Sequence, residues 1–239
     1  MKISGTIDLA GGNMNIAGTS GWQLAGGTIK GGTITAGGGA GLVLPSGAEG
    51  TLVGVRLDSD LTVGRGYTLA VKNGLVLNNA KLNVANGGSQ ARVDFYDTQT
   101  LSGTGEVVFG SNTASLFVAR IGTAAATLTI GPGITVHGQS ELITGHTPDD
   151  RVINQGTISA DTAGQTITLN DSAGSFINTG ILSASNGGNL IVSEWLTISG
   201  LGILGASPSG TLSIRGDVLG DTTNAAFYKP QGTVRLTGP

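Results

Sequence analysis

The sequence predicts an all-β chain folded as a parallel β-helix, a solenoid of about ten coils of roughly 24 residues each. Three observations carry this expectation. Short apolar–x–apolar triplets recur along the whole length, one stretch repeats after 24 residues, and glycine supplies 43 of the 239 residues. The triplets include Leu42-Val43-Leu44, Leu61-Thr62-Val63, Leu69-Ala70-Val71 and Leu82-Asn83-Val84. They continue with Leu128-Thr129-Ile130, Ile134-Thr135-Val136, Ile167-Thr168-Leu169 and Leu212-Ser213-Ile214. A period of two places both apolar side chains on one face of a strand. Threonine, β-branched, suits the opposite face. No segment repeats apolar residues at helical spacing, and the glycines oppose a helix.

The repeat sets the coil length. Ile153-Asn154-Gln155-Gly156-Thr157-Ile158-Ser159-Ala160 aligns with Ile177-Asn178-Thr179-Gly180-Ile181-Leu182-Ser183-Ala184. Beyond it Gly164 aligns with Gly188 and Ile167 with Ile191. A one-residue slip would turn Leu190 and Val192 inward instead. Asn86-Gly87-Gly88 echoes Asn186-Gly187-Gly188 at a separation of 100 residues, about four coils. Asn154 and Asn178, at equivalent positions, are expected to stack as a structural side-chain ladder inside or beside a turn. Each coil needs tight corners with positive φ, which Gly and Asn adopt at little cost. The six prolines are expected in the same corners, as in Gly131-Pro132-Gly133 and Ser207-Pro208-Ser209-Gly210. Stacking at about 4.8 Å per coil makes a rod about 48 Å long.

Composition removes several function classes. The glycines do not fall at every third position, which excludes collagen. A disulfide scaffold is impossible without cysteine, and twelve basic residues against fifteen acidic ones argue against nucleic acid as a partner. The first residues lack a signal-peptide core, and the stretch from Leu9 to Ile29 is too polar to span a bilayer. Strand patterning begins by Thr6-Ile7-Asp8-Leu9 and is still running at Thr233-Val234-Arg235-Leu236. Residues 1–239 are therefore expected to form one solenoid domain cut from a longer repeat protein, stacking on neighbouring coils of the parent chain or end to end on another copy.

Phe176-Ile177-Asn178-Thr179-Gly180-Ile181-Leu182-Ser183-Ala184-Ser185-Asn186-Gly187-Gly188 resembles the N-x-G-x-(I/L)-x-A coil units of large secreted bacterial repeat proteins. So does Gly210-Thr211-Leu212-Ser213-Ile214-Arg215-Gly216-Asp217-Val218-Leu219-Gly220-Asp221. Such units occur in autotransporter-type and filamentous-haemagglutinin-like passenger regions. The resemblance covers about residues 150–239 and is compositional over 1–149. It implies a right-handed β-helix at the cell surface or outside the cell, acting as an adhesin-like stalk, with surface glycans among its partners. The coil motif has no catalytic positions to carry over.

Two clusters are the candidates for an enzyme. His146, Asp149 and Asp150, in a stretch that also holds His137, Glu141 and Arg151, have the groups for metal binding or acid–base chemistry on a polysaccharide. Pectin-degrading β-helix hydrolases carry Asn-Thr-Asp, Asp-Asp, Gly-His-Gly and Arg-Ile-Lys motifs in that order. Here Gly145-His146-Thr147 precedes Asp149-Asp150, so order and spacing both fail. The plainer reading is a solvated loop, because Thr147-Pro148-Asp149-Asp150 is good turn chemistry. In a strand Arg92, Asp94 and Tyr96 share one face, opposite Val93 and Phe95. Asp94 with Asp97 could then serve as acid and nucleophile or base on a sugar ring. The alternative is an outward ion pair beside a core Phe95.

The remaining motifs are weak. Asp58-Ser59-Asp60 lacks the further oxygen ligands of a calcium loop. Arg215-Gly216-Asp217 spells an integrin tripeptide inside a strand-like run, where it would hardly project. The Thr-x-Thr pairs at Thr33, Thr127 and Thr166 are too scattered for an ice-binding rank. No cofactor, metal site, phosphate loop or serine nucleophile elbow is expected. The leading expectation is a non-enzymatic stalk or scaffold. The alternatives are a polysaccharide lyase or glycoside hydrolase with a lateral-groove site, and a glycan- or ice-binding face.

Overall fold

In this computed structural model, residues 1–17, 21–37, 40–66, 68–84, 90–110, 114–119, 124–139, 142–169, 175–193, 196–197, 201–215, 218–219 and 233–236 are described. The alternating triplets become strands, and successive strands turn corners to lie on three walls. The first coil is β1 (Lys2–Ile3), β2 (Thr6–Asp8) and β3 (Asn13–Ile16). The second is β4 (Trp22–Leu24), β5 (Thr28–Lys30) and β6 (Thr33–Ala36). Then β7 (Leu42–Leu44) precedes β8 (Gly50–Asp58), which bends at Gly54 and covers two walls. After β9 (Leu61–Val63), β10 (Thr68–Val84) runs across all three. Its register shifts fall between Lys72 and Leu75 and between Asn78 and Ala80, where Asn73 and Asn79 have φ of 57° and 52°.

The middle coils hold β11 (Ala91–Tyr96), β12 (Gln99–Gly110), β13 (Ala114–Ala119), β14 (Thr127–Ile130), β15 (Ile134–Gln139), β16 (Leu142–Gly145) and β17 (Arg151–Asn154). They continue with β18 (Thr157–Ala160), β19 (Thr166–Leu169), β20 (Ser175–Asn178), β21 (Ile181–Ala184) and β22 (Asn189–Val192). The last are β23 (Leu196–Thr197), β24 (Ile203–Ala206), β25 (Thr211–Ile214), β26 (Val218–Leu219) and β27 (Thr233–Leu236). Each strand pairs in parallel with the strand one coil away, as β14 does with β17 and β17 with β20. Among the described residues there is no helix, hence none long and apolar enough to cross a membrane.

The chain is thus a β-solenoid with coils of about 23 residues, close to the roughly 24 expected. Ten strands stack on one wall, from β1 through β4, β7, β9, β10, β12, β15, β18 and β21 to β24, in line with the expected ten coils. The spacing of 24 residues holds where it was read, since Asn154 stacks on Asn178 and Ala160 on Ala184. Tighter corners shorten the first coils, where Val43 stacks on Thr62. Beyond Asn178 the third wall is described only by β23 and β26, which pair with each other. The slip is settled as well. Ile167 stacks on Leu190 and Leu169 on Val192, so Leu190 and Val192 point inward and Ile191 outward. The corner has lost one residue, and Gly164 opposes Gly187 rather than Gly188. Residues 86–88 lie outside the described residues. Their neighbour Asn83 stacks through Val108, His137 and Ser159 onto Ser183, four coils on.

The core is a set of apolar columns. Leu44, Val63, Val84 and Phe109 form one wall's column, Ile29, Leu52, Val71 and Phe95 another, and Leu128, Val152 and Phe176 part of the third. All are buried. Each such side chain contributes about 1.5–3 kcal/mol by leaving water. Pro45, Pro132, Pro148 and Pro208 lie between strands, as expected, while Pro230 and Pro239 fall outside the described residues.

Candidate functional site

The turn after β16 separates its three candidate side chains. His146 and Asp149 are exposed, whereas Asp150 is fully buried. Proline and aspartate close a tight turn here, and Asp150 folds back to cap it. Its Oδ1 accepts a hydrogen bond from Ala126 N at 3.0 Å, one coil away. Its Oδ2 accepts from His146 N at 3.2 Å and from Thr147 N and Oγ1, both at 2.9 Å. A carboxylate with four donors is a buttress between coils, not a base open to substrate. Glu141 lies outside the described residues. Asp150→Ala orphans the buried Ala126 amide and is expected to cost about 2 kcal/mol in urea unfolding. Asp149→Asn in the same turn should stay within about 0.5 kcal/mol of the parent.

Asp94 and Asp97 do not converge either. Asp97 is exposed at the corner after β11 with φ 63°, a conformation that Asp tolerates better than most residues. Arg92, Asp94 and Tyr96 do share the outer face, opposite the buried Val93 and Phe95. Yet Asp94 is only 1% exposed. Its Oδ2 accepts a short hydrogen bond from Arg92 Nη2, and its Oδ1 has no hydrogen-bond partner. Asp94 lines a small recess with Glu49, Thr51, Thr68, Arg92 and Tyr96. Burial pushes the Tyr96 phenol up, and the Asp94 charge adds to the effect. Lys72 sits over the Tyr96 ring, 5.3 Å from its centre.

Asn154 and Asn178 point into the core, where they replace the aliphatic residue of the column that runs through Leu75, Leu101 and Ile130. Asn154 Nδ2 donates to Asn178 Oδ1 at 2.7 Å. The other short motifs hold no site. Asp58 accepts from Arg56 Nε at 2.7 Å, while Asp60 accepts from the Lys81 backbone amide at 2.8 Å. Among the described residues no group of three His, Cys, Asp or Glu is placed to hold a metal ion. Arg215 is exposed after β25, and Gly216 and Asp217 lie outside the described residues. The threonine pairs of β6 and β14 share a wall but not adjacent coils, and β19 lies on a different wall, so these pairs do not join into a hydroxyl rank.

One charged row on the first wall has no counterpart in the sequence reading. Lys81 Nζ donates to Glu106 Oε2 at 2.8 Å, and His137 Nε2 lies 3.5 Å from that same oxygen, beyond good hydrogen-bond geometry. His137 Nδ1 is 2.9 Å from Asp161 Oδ2, whose other oxygen accepts from Gly138 N at 3.1 Å. Basic and acidic side chains alternate from coil to coil along this row. The Lys81 ammonium, with a smaller contribution from His137, holds the Glu106 carboxyl below its ordinary range. A lowered carboxylate pKa stabilises the fold at neutral pH and loses that stabilisation as pH falls through the acid range. Glu106→Gln should therefore flatten the acid limb of a stability–pH profile while changing little at neutral pH, where exposed pairs contribute weakly. No family model, curated protein or solved structure matches the chain.

Proposed function

We propose that this chain is a non-enzymatic structural segment, a stalk or scaffold of a large secreted bacterial surface protein of autotransporter or filamentous-haemagglutinin type. The observation that carries the reading is the state of its carboxylates. Asp150 is saturated by four donors, Glu106 and Asp161 are committed to Lys81 and His137, and Asp94 and Asp97 part at a corner. Such side chains clip coil to coil, as a rod requires when each repeat touches only its neighbours. The coil units between residues 150 and 239 support the same origin. Adjoining coils of a parent chain, or a second copy stacked end to end, are its partners under this reading, and its place is outside the cell.

A screen of acidic and neutral polysaccharides for new reducing ends and unsaturated products tests it. No turnover is the expected result. Turnover abolished by Asp94→Ala or Asp149→Ala overturns the scaffold reading in favour of a lateral-groove lyase or hydrolase. Antibodies against the segment should label intact, unpermeabilised source cells, and labelling only after lysis would refute the surface location.

A further inference from the structure

The outer wall around Asp94 is built differently from the rest of the rod. The pleat turns this aspartate outward, yet it is buried, and Oδ1 meets no protein donor. Register explains the hollow beside it. Thr51, Ala70 and Asp94 stand level on three successive coils. Two short side chains next to the long Glu49, Arg92 and Tyr96 leave a recess of about 180 Å³. A second recess of about 150 Å³, lined by Gly66, Thr68, Gln90 and Arg92, shares Thr68 and Arg92 with the first. Each is below the roughly 300 Å³ at which drug-sized pockets begin, so each suits one small ring.

The lining selects the chemistry. Ala70 is the single aliphatic side chain of the larger recess, Gly50 adds backbone alone, and the rest present hydroxyl, carboxylate, guanidinium or phenol groups. Glu49 and Asp94 are balanced by Arg92 and by Lys72 over the Tyr96 ring. An anion would meet two carboxylates with Arg92 already engaged by Asp94. An uncharged molecule rich in hydroxyl donors meets a buried acceptor in need of one. We infer that the paired recesses on either side of Thr68 and Arg92 bind a short neutral saccharide, one ring in each, with Asp94 Oδ1 accepting a sugar hydroxyl. This gives the wall a ligand in addition to its scaffold role, and it does not depend on that role.

Saturation-transfer NMR with the whole chain tests the site, using cellobiose, lactose and maltose as neutral probes and digalacturonate as the anionic one. At least one neutral disaccharide should bind in the millimolar range and be recovered intact. Ala70→Leu, which fills the hollow from the outer face without removing any core or polar side chain, should weaken that binding tenfold or more. Asp94→Asn should do the same, with unchanged melting as the check on folding. If Asp94→Asn fails to fold, Ala70→Leu decides. Binding of none of the neutral probes, equal binding of digalacturonate, or unaltered binding by Ala70→Leu would each overturn the inference. Cleavage of a bound disaccharide would overturn the scaffold reading and leave the binding site standing.

Discussion

Replacing Asn178 by alanine is expected to remove about 3 kcal/mol of stability, because it vacates core volume and strips Leu201 O of its side-chain donor. Asn178 Nδ2 donates to Leu201 O at 2.7 Å and Gly180 O at 3.2 Å, and Oδ1 accepts from Asn154 Nδ2. Gly180 O has a second donor in Ile203 N, and Asn154 Nδ2 keeps Gly156 O at 3.2 Å and Ile181 O at 3.3 Å, so the group left wanting is Leu201 O. Each buried orphan costs about 1–3 kcal/mol, and the vacated volume adds to that. Asn178→Asp supplies a sharper check. The new carboxylate faces two carbonyl oxygens, so its folded-state pKa is raised, and its destabilisation should shrink as pH falls below the ordinary carboxylate range. Asn15→Ala, at an exposed outward position, should change stability by less than about 0.5 kcal/mol. Urea unfolding at neutral and acid pH, followed by circular dichroism, separates these outcomes. If Asn178→Ala unfolds with Asn15→Ala, the amide ladder contributes nothing to the rod.

This ladder marks how far the sequence could be read. Asn154 and Asn178 were visible because their coil is 24 residues long and keeps its corners unchanged between copies. The apolar–x–apolar triplets were visible for a similar reason, since a pleat buried on one side leaves a local signature. Register was not, because a corner can lose a residue without disturbing either flanking strand. That happened between Gly164 and Gly187, and it moved the inward position from Ile191 to Leu190. The outer wall suffers most from this drift. His137 and Asp161 lie 24 residues apart, so the repeat length alone could have paired them. The Asp94 recess had no such clue. Thr51, Ala70 and Asp94 come level only after two coils of unequal length, with a register shift inside β10.

Corner sterics then predict the largest loss in the molecule. Gly103 combines a φ of +90° with a Cβ position only 2.0 Å from Leu77 O on the coil below. Leu77 is its ladder partner, so the overlap falls on backbone that cannot rotate away. Gly103→Ala should cost more than about 4 kcal/mol, in the range where substitutions of known mechanism abolish folding of marginal chains. Two further glycines divide that cost. Gly66 has φ +79° with open space around the added carbon, so Gly66→Ala carries only the left-handed penalty of about 1–2 kcal/mol. Gly5 has neither constraint, and Gly5→Ala should be neutral or stabilising by up to about 1 kcal/mol through the unfolded state. Amide exchange adds a spatial readout. In a solenoid each coil contacts only its neighbours, so Gly103→Ala should strip protection from residues 75–78 and 101–107 before it reaches Ile158, two coils away. Equal melting of Gly103→Ala and Gly66→Ala would mean that the coils slide to relieve the clash, and the rod would then owe its stiffness to something other than close stacking of its backbones.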